Sequence, residues 1–188
     1  MPNFTTHTIA SAPADAKPLL KGAEDAYSFV PNLYAKMAEA PALLEGYLTL
    51  SKIFDKTSFS DTERQIILMT NNLLNGCLYC MAAHTTLSQM AGVKEDVIAS
   101  LRENTPIADA KLEALRQFAI VINESRGWPS ETQVETFLAA GYSLQHILEV
   151  ILGTSLKLLS NYTNHNTKPP LDEAFVPNIW SPAVAGAA

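Results

Sequence analysis

"SDTERQIILMTNNLLNGCLYCMAAH", residues 60–84, decides how the rest of the chain is read. Ser60 and Glu63 have capping-box spacing: the serine can cap the N3 backbone N–H while the glutamate reaches back to the serine. The apolar run that follows predicts a helix ending near Asn75. Asn75-Gly76 is a stop signal, because glycine accepts the left-handed conformation that ends a helix. A second helix is then predicted from Cys77 to Ala91, closed by Gly92. Outward from this pair the pattern stays helical. Pro31 to Ala40 and Pro41 to Lys56 repeat Leu, Tyr and Met at three- and four-residue intervals behind prolines suited to a first turn. Lys94 to Asn104 and Asp109 to Ser125 follow, the latter ended by Gly127-Trp128-Pro129. "SETQ" at 130–133 opens a helix that stops at Gly141, and the last helix runs from Ser143 through "ILEVILGTSLKLLSNYTNH". With no period-2 strand and no fixed repeat, the expectation is an all-α, single-domain helical bundle over residues 1–188. A Pro-rich tail, about 167–188, is expected to lie extended on the surface.

Composition narrows the function. A chain of 188 residues, 47% hydrophobic and 17% charged, suits one globular domain. The net charge of −6 and the scattered Lys and Arg argue against nucleic acid, whose partners cluster basic residues. No run reaches the length of a membrane span, and the N-terminus lacks a basic region followed by an apolar one. A cytoplasmic protein is expected. Two segments, 65–74 and 147–159, are apolar nearly all round, and a helix without a polar face must be covered on every side. Two such helices in one chain of this size predict burial shared between copies, a homo-oligomer.

The chain has two cysteines, Cys77 and Cys80, with His84 four residues beyond the second. At about 100° per residue, Cys80 lies near about −60° and His84 near about −20° from Cys77, so the three share one helix face. The helix start favours a thiolate, through the positive end of the helix dipole, and His84 is suitably placed to take a thiol proton. Two plainer readings stay open. The cysteines can be small core residues. They can also be zinc ligands with His84, but the chain offers no second close ligand pair. A thioredoxin-type dithiol needs a βαβ setting that is absent here. No metal or organic cofactor is required by the redox reading.

"LNGCLYCMAAHTTLSQMAGV" (74–93), preceded by "SDTERQIILMTNN", resembles the core of the AhpD-like alkylhydroperoxidase and carboxymuconolactone decarboxylase family, a likeness covering about residues 42–125. "LLSNYTNHNTKPPLDEAF" (158–175) resembles a tail motif of one subgroup. The resemblance implies an all-helical subunit in trimers or hexamers and a peroxidase acting on hydroperoxides. It also implies re-reduction by a dithiol partner, lipoyl- or thioredoxin-like. Carried over, Cys80 is peroxidatic, Cys77 resolving and His84 part of a proton relay. The decarboxylase branch generally lacks the cysteine pair. One departure stands out: where the family pattern has a glutamate, twelve residues before the first cysteine, this chain has Gln65. Glu63 lies about 200° away round the helix and reads as the capping-box residue. Tyr79 stands between the cysteines, where AhpD has a histidine, and an unperturbed phenol is a poor base near neutral pH.

Other candidates are weaker. His165 is a possible pocket residue but suits a helix end; His146 suits a cap, and His7 a loop. Met69, Met81 and Met90 are expected in the core. Two further functions remain alongside the dithiol peroxidase: a lactone decarboxylase that keeps the cysteines incidentally, and a non-catalytic redox sensor whose disulfide alters oligomer packing.

Overall fold

A computed structural model describes residues 3–181. Nine α-helices lie among the described residues, with no strand: α1 Lys17–Tyr27, α2 Asn32–Met37, α3 Pro41–Phe54, α4 Asp61–Leu74, α5 Leu78–Met90, α6 Glu95–Glu103, α7 Ala110–Glu124, α8 Glu131–Ala139 and α9 Leu144–Thr167. They form one all-helical domain. α4 is its axis, packed against α5, α6, α7 and α9. Residues 66–72 of α4 are all buried, so this chain alone covers the first of the two apolar segments. The second, in α9, is covered on one side only: Leu148 is 68% and Ile151 40% exposed.

Local rules place the helix ends. Ser60 and Ser130 close the expected capping boxes with Glu63 and Gln133, and Ser143 is capped by the His146 ring. α2 is shorter than expected. Pro31 stays extended at its N-cap, and Ala40 is pushed to φ −125°, ψ 88° because it precedes Pro41. α1 was not anticipated; it buries only Leu20 and Ala23, too sparse a stripe for periodicity to reveal. Gly153 sets the depth of α9: a Cβ there would sit 2.8 Å from Ile67 Cγ2 and from the Phe54 ring. The absent side chain lets α9 lie directly on α3 and α4.

Two expectations need correction. Met69 and Met81 are in the core, but Met90, the last residue of α5, is 79% exposed and sits at the edge of a cavity that it helps to line. The tail is not simply extended. Glu173–Asn178 winds into a 3₁₀ turn packed on α5, and Trp180 is buried with its Nε1 donating to the Arg102 carbonyl at 2.9 Å. The Arg102 guanidinium in turn donates to the carbonyls of Asn178 and Ile179. Residues 182–188 of the expected tail lie outside the described residues.

Candidate active site

The break between α4 and α5 builds the site. Gly76, at φ 64°, turns the chain so that the Cys77 N–H donates back to the Asn72 carbonyl at 2.9 Å. Cys77 is then the N-cap of α5, one residue outside the helix the spacing predicts, and Cys80 occupies its first turn. Both thiols are free and buried, Cys77 1% and Cys80 2% exposed. Of the two, only Cys80 lines a cavity of about 450 Å³, together with His84 and Lys157. Tyr27, Phe29, Tyr34, Tyr47, Tyr79 and Phe175 supply the aromatic walls. Edge-to-face pairs fix these rings, Tyr34 against Tyr47 at 5.7 Å and Tyr79 against Phe175 at 6.0 Å.

The two thiols are pushed in opposite directions. Burial alone would raise Cys80, but a hydrogen bond from the Cys77 thiol, the Lys157 charge and donors on Asn161 and Ser160 outweigh it and hold Cys80 below the ordinary thiol range. Cys77 is held far above that range, chiefly by the hydrogen bond it donates to Cys80, then by burial and the Cys80 charge. Asn164 Nδ2 adds a direct donor to Cys80 Sγ at 3.1 Å. Of the pair, Cys77 holds its proton more tightly and Cys80 is the more readily ionised.

His84 is differently employed from the expectation. Its Nε2 lies 3.0 Å from Lys157 Nζ and its Nδ1 2.9 Å from Gln65 Oε1. A lysine ammonium has donors and no acceptor, so Nε2 accepts, Nδ1 carries the hydrogen and Gln65 presents its oxygen. Burial, then the Lys157 charge, lowers the imidazole well below its ordinary pKa, so the ring is neutral. Both ring nitrogens are taken by Lys157 and Gln65, and neither is bonded to a cysteine. Gln65 is therefore brought into the site as a neutral acceptor.

The remaining candidates separate. Tyr79 lines the cavity, but its hydroxyl donates to Asp172 and accepts from the Leu33 N–H, and the phenol is held far above its ordinary range by burial and by Asp172. Asp172 also accepts from the Asn32 N–H at 3.0 Å, which ties the tail over the cavity. Glu63 stays in its capping box and accepts from Tyr142 at 3.1 Å, on another part of the molecule. His165 is exposed beside Tyr162. Among the described residues no cluster of His, Cys, Asp or Glu has the arrangement of a metal site.

Sequence reasoning missed Lys157, Asn164 and Asp172. A signal for Lys157 existed: it is the one Lys, Arg, Asp or Glu between Glu149 and Lys168. Asn164 and Asp172 lie inside the 158–175 motif, but neither drew a role there, since polar residues near a helix end or in a tail are ordinarily solvated.

Residues 38–121 match the carboxymuconolactone decarboxylase family. No functionally curated protein matches the chain. Among solved structures, an uncharacterized peroxidase-related protein from Ralstonia eutropha JMP134, described as an alkylhydroperoxidase AhpD core, superposes with a TM-score of 0.82 at 20% identity, over 92% of this chain and 93% of that one. The debrominase Bmp8, as a cysteine-to-alanine variant in complex with 2,3,4-tribromopyrrole, gives 0.78 at 19% identity, over 95% and 96%. A peroxidase-related protein from Silicibacter sp. TM1040 gives 0.77 at 17%, over 93% and 95%. Residues 38–121 thus match the carboxymuconolactone decarboxylase family model, and the chain as a whole has the helical fold of the AhpD core protein.

Proposed function

We propose that the protein is a dithiol peroxidase, reducing bulky apolar or aromatic hydroperoxides through Cys80 and Cys77. The observation that carries this reading is the asymmetry of the pair: a depressed thiol facing a cavity and a raised thiol behind it. A nucleophile must be ionised and reachable, whereas a resolving thiol must keep its proton until the first has reacted. Cys80 Sγ attacks the peroxide bond and becomes a sulfenic acid; Cys77 then condenses with it to a disulfide, releasing water. A dithiol reductant returns the pair to its starting state. The cavity is far larger than hydrogen peroxide requires and its walls are aromatic, which supports a ring-bearing substrate.

The test uses the reduced protein with cumene hydroperoxide. One equivalent of disulfide should form, and turnover should require added dithiol. The Cys80→Ser variant should consume none; full activity in that variant overturns the reading. In this reading the apolar face of α9, Leu144, Leu148 and Ile151, is covered by further copies of the chain.

The aromatic walls favour a second reading, reductive dehalogenation of a halogenated aromatic ring, the class of ligand bound to the debrominase. Bromide release from 2,3,4-tribromopyrrole, set beside cumene hydroperoxide reduction in the same preparation, decides between them.

A further inference from the structure

The cavity contains one buried cation whose role the dithiol cycle leaves unassigned. Lys157 is 1% exposed, lies 3.0 Å from a histidine nitrogen that can only accept from it, and among the described residues has no carboxylate partner. Opening a peroxide bond expels an alkoxide, which is a poor leaving group unless a proton reaches it as it departs. The other groups lining the cavity are badly suited to supply it. His84 is neutral and spends its one N–H on Gln65. Tyr34, Tyr47 and Tyr79 are all made weaker acids, first of all by burial. Cys80 is the nucleophile. No carboxylate among the described residues lines the cavity.

We propose that Lys157 is the catalytic acid of the cycle, held in place by a His84–Gln65 bracket that orients it without competing for its proton. The inference rests on the peroxidase reading. In the first step the Cys80 thiolate forms an S–O bond to the terminal oxygen and the O–O bond breaks. The alkoxide takes a proton from the Lys157 ammonium, leaving Cys80 sulfenic acid, the alcohol and a neutral amine. In the second step Cys77 Sγ bonds to Cys80 Sγ, the S–O bond breaks, and the departing hydroxide takes the Cys77 thiol proton to leave as water. The dithiol has then lost two electrons to the hydroperoxide. The ammonium and the Cys77 thiol have each delivered one proton, and the amine is recharged during dithiol reduction. Gln65 fits this scheme: a carboxylate there would draw a proton onto His84, and a cationic imidazole could not accept from Lys157.

The test compares two oxidants in one protein. A peroxycarboxylic acid expels a carboxylate, which needs no proton; cumene hydroperoxide expels an alkoxide, which does. Lys157→Arg keeps the positive charge but does not release a proton in this range. Single-turnover reduction of cumene hydroperoxide by Lys157→Arg should fall about 100-fold, with peroxybenzoic acid reduction and Cys80 alkylation nearly unchanged. In Lys157→Ala, added ethylamine should restore the cumene hydroperoxide rate saturably, which also shows that the scaffold is intact. Equal loss with both oxidants, or a normally melting Lys157→Ala that ethylamine does not rescue, overturns the proposal. Wild-type protein inert to both oxidants would instead remove the peroxidase reading beneath it.

Discussion

The cavity in front of Cys80 and the packed layer behind it surround one sulfur with opposite chemistry. In front stand six aromatic rings contributed by α1, α2, α3, α5, the α1–α2 connection and the tail. Behind lie five asparagines joined by their amides, with a sixth, Asn164, bonded to the sulfur itself. Asn123 donates to Asn71 and Asn75, Asn75 to Asn161, and Asn161 to Asn72. Asn72 reaches the Cys80 carbonyl at 3.1 Å and Asn164 reaches its sulfur at 3.1 Å. The rings in front can bind an organic body but do little for a negative charge, which on that side is left to Lys157. The back cannot bind a substrate, yet it offers oriented dipoles to a thiolate without carrying charge of its own. Selectivity and reactivity are therefore assigned to different walls and can be altered separately.

Asn164→Asp should break that division most severely. It replaces a donor to Cys80 Sγ with a carboxylate, raising the thiol from about 6 by about two units and slowing iodoacetamide labelling at pH 7 roughly tenfold. An unchanged labelling rate would mean that the amides do not tune the sulfur. The wild-type profile carries the corresponding sign. Thiolate is the reactive form and the Cys80 pKa is depressed, so labelling should rise with pH and level off below the roughly 8.5 of a free thiol.

Phe175→Ala probes the front wall alone. Losing that ring should raise the KM for cumene hydroperoxide by roughly tenfold, the worth of one buried aromatic contact, while hydrogen peroxide kinetics and Cys80 labelling stay unchanged. A parallel change in labelling would show that the walls are not independent. The smallest effect is expected from Tyr79→Phe, which removes the hydroxyl donor to Asp172. Stability in urea should drop by about 1 kcal/mol, with the labelling rate unaltered.

The sequence made some parts of this legible and hid others for physical reasons. The α4–α5 break was readable because a capping box, Asn75-Gly76 and the cysteine spacing all act locally. The Cys77–Cys80–His84 face was visible for the same reason. The use of His84 was not, because its partners, Gln65 and Lys157, lie 19 and 73 positions away and meet it only through helix packing. The asparagines were hidden by type: at a helix surface they are ordinary, and only burial against one another makes them a network. Gly153 drew no reading from the sequence, because its reason, the close approach of Phe54 and Ile67, comes from helix packing.

The Asp172 clamp joins backbone and side chain across 140 positions of sequence. Every helix of the bundle precedes Asp172 in the chain, and a contact of such separation repays its loop-closure entropy only after the segments between are organised. The Cys77–Cys80 turn rests on local contacts, whereas the wall that Phe175 adds to the cavity depends on this clamp, so its closure reports on the whole fold.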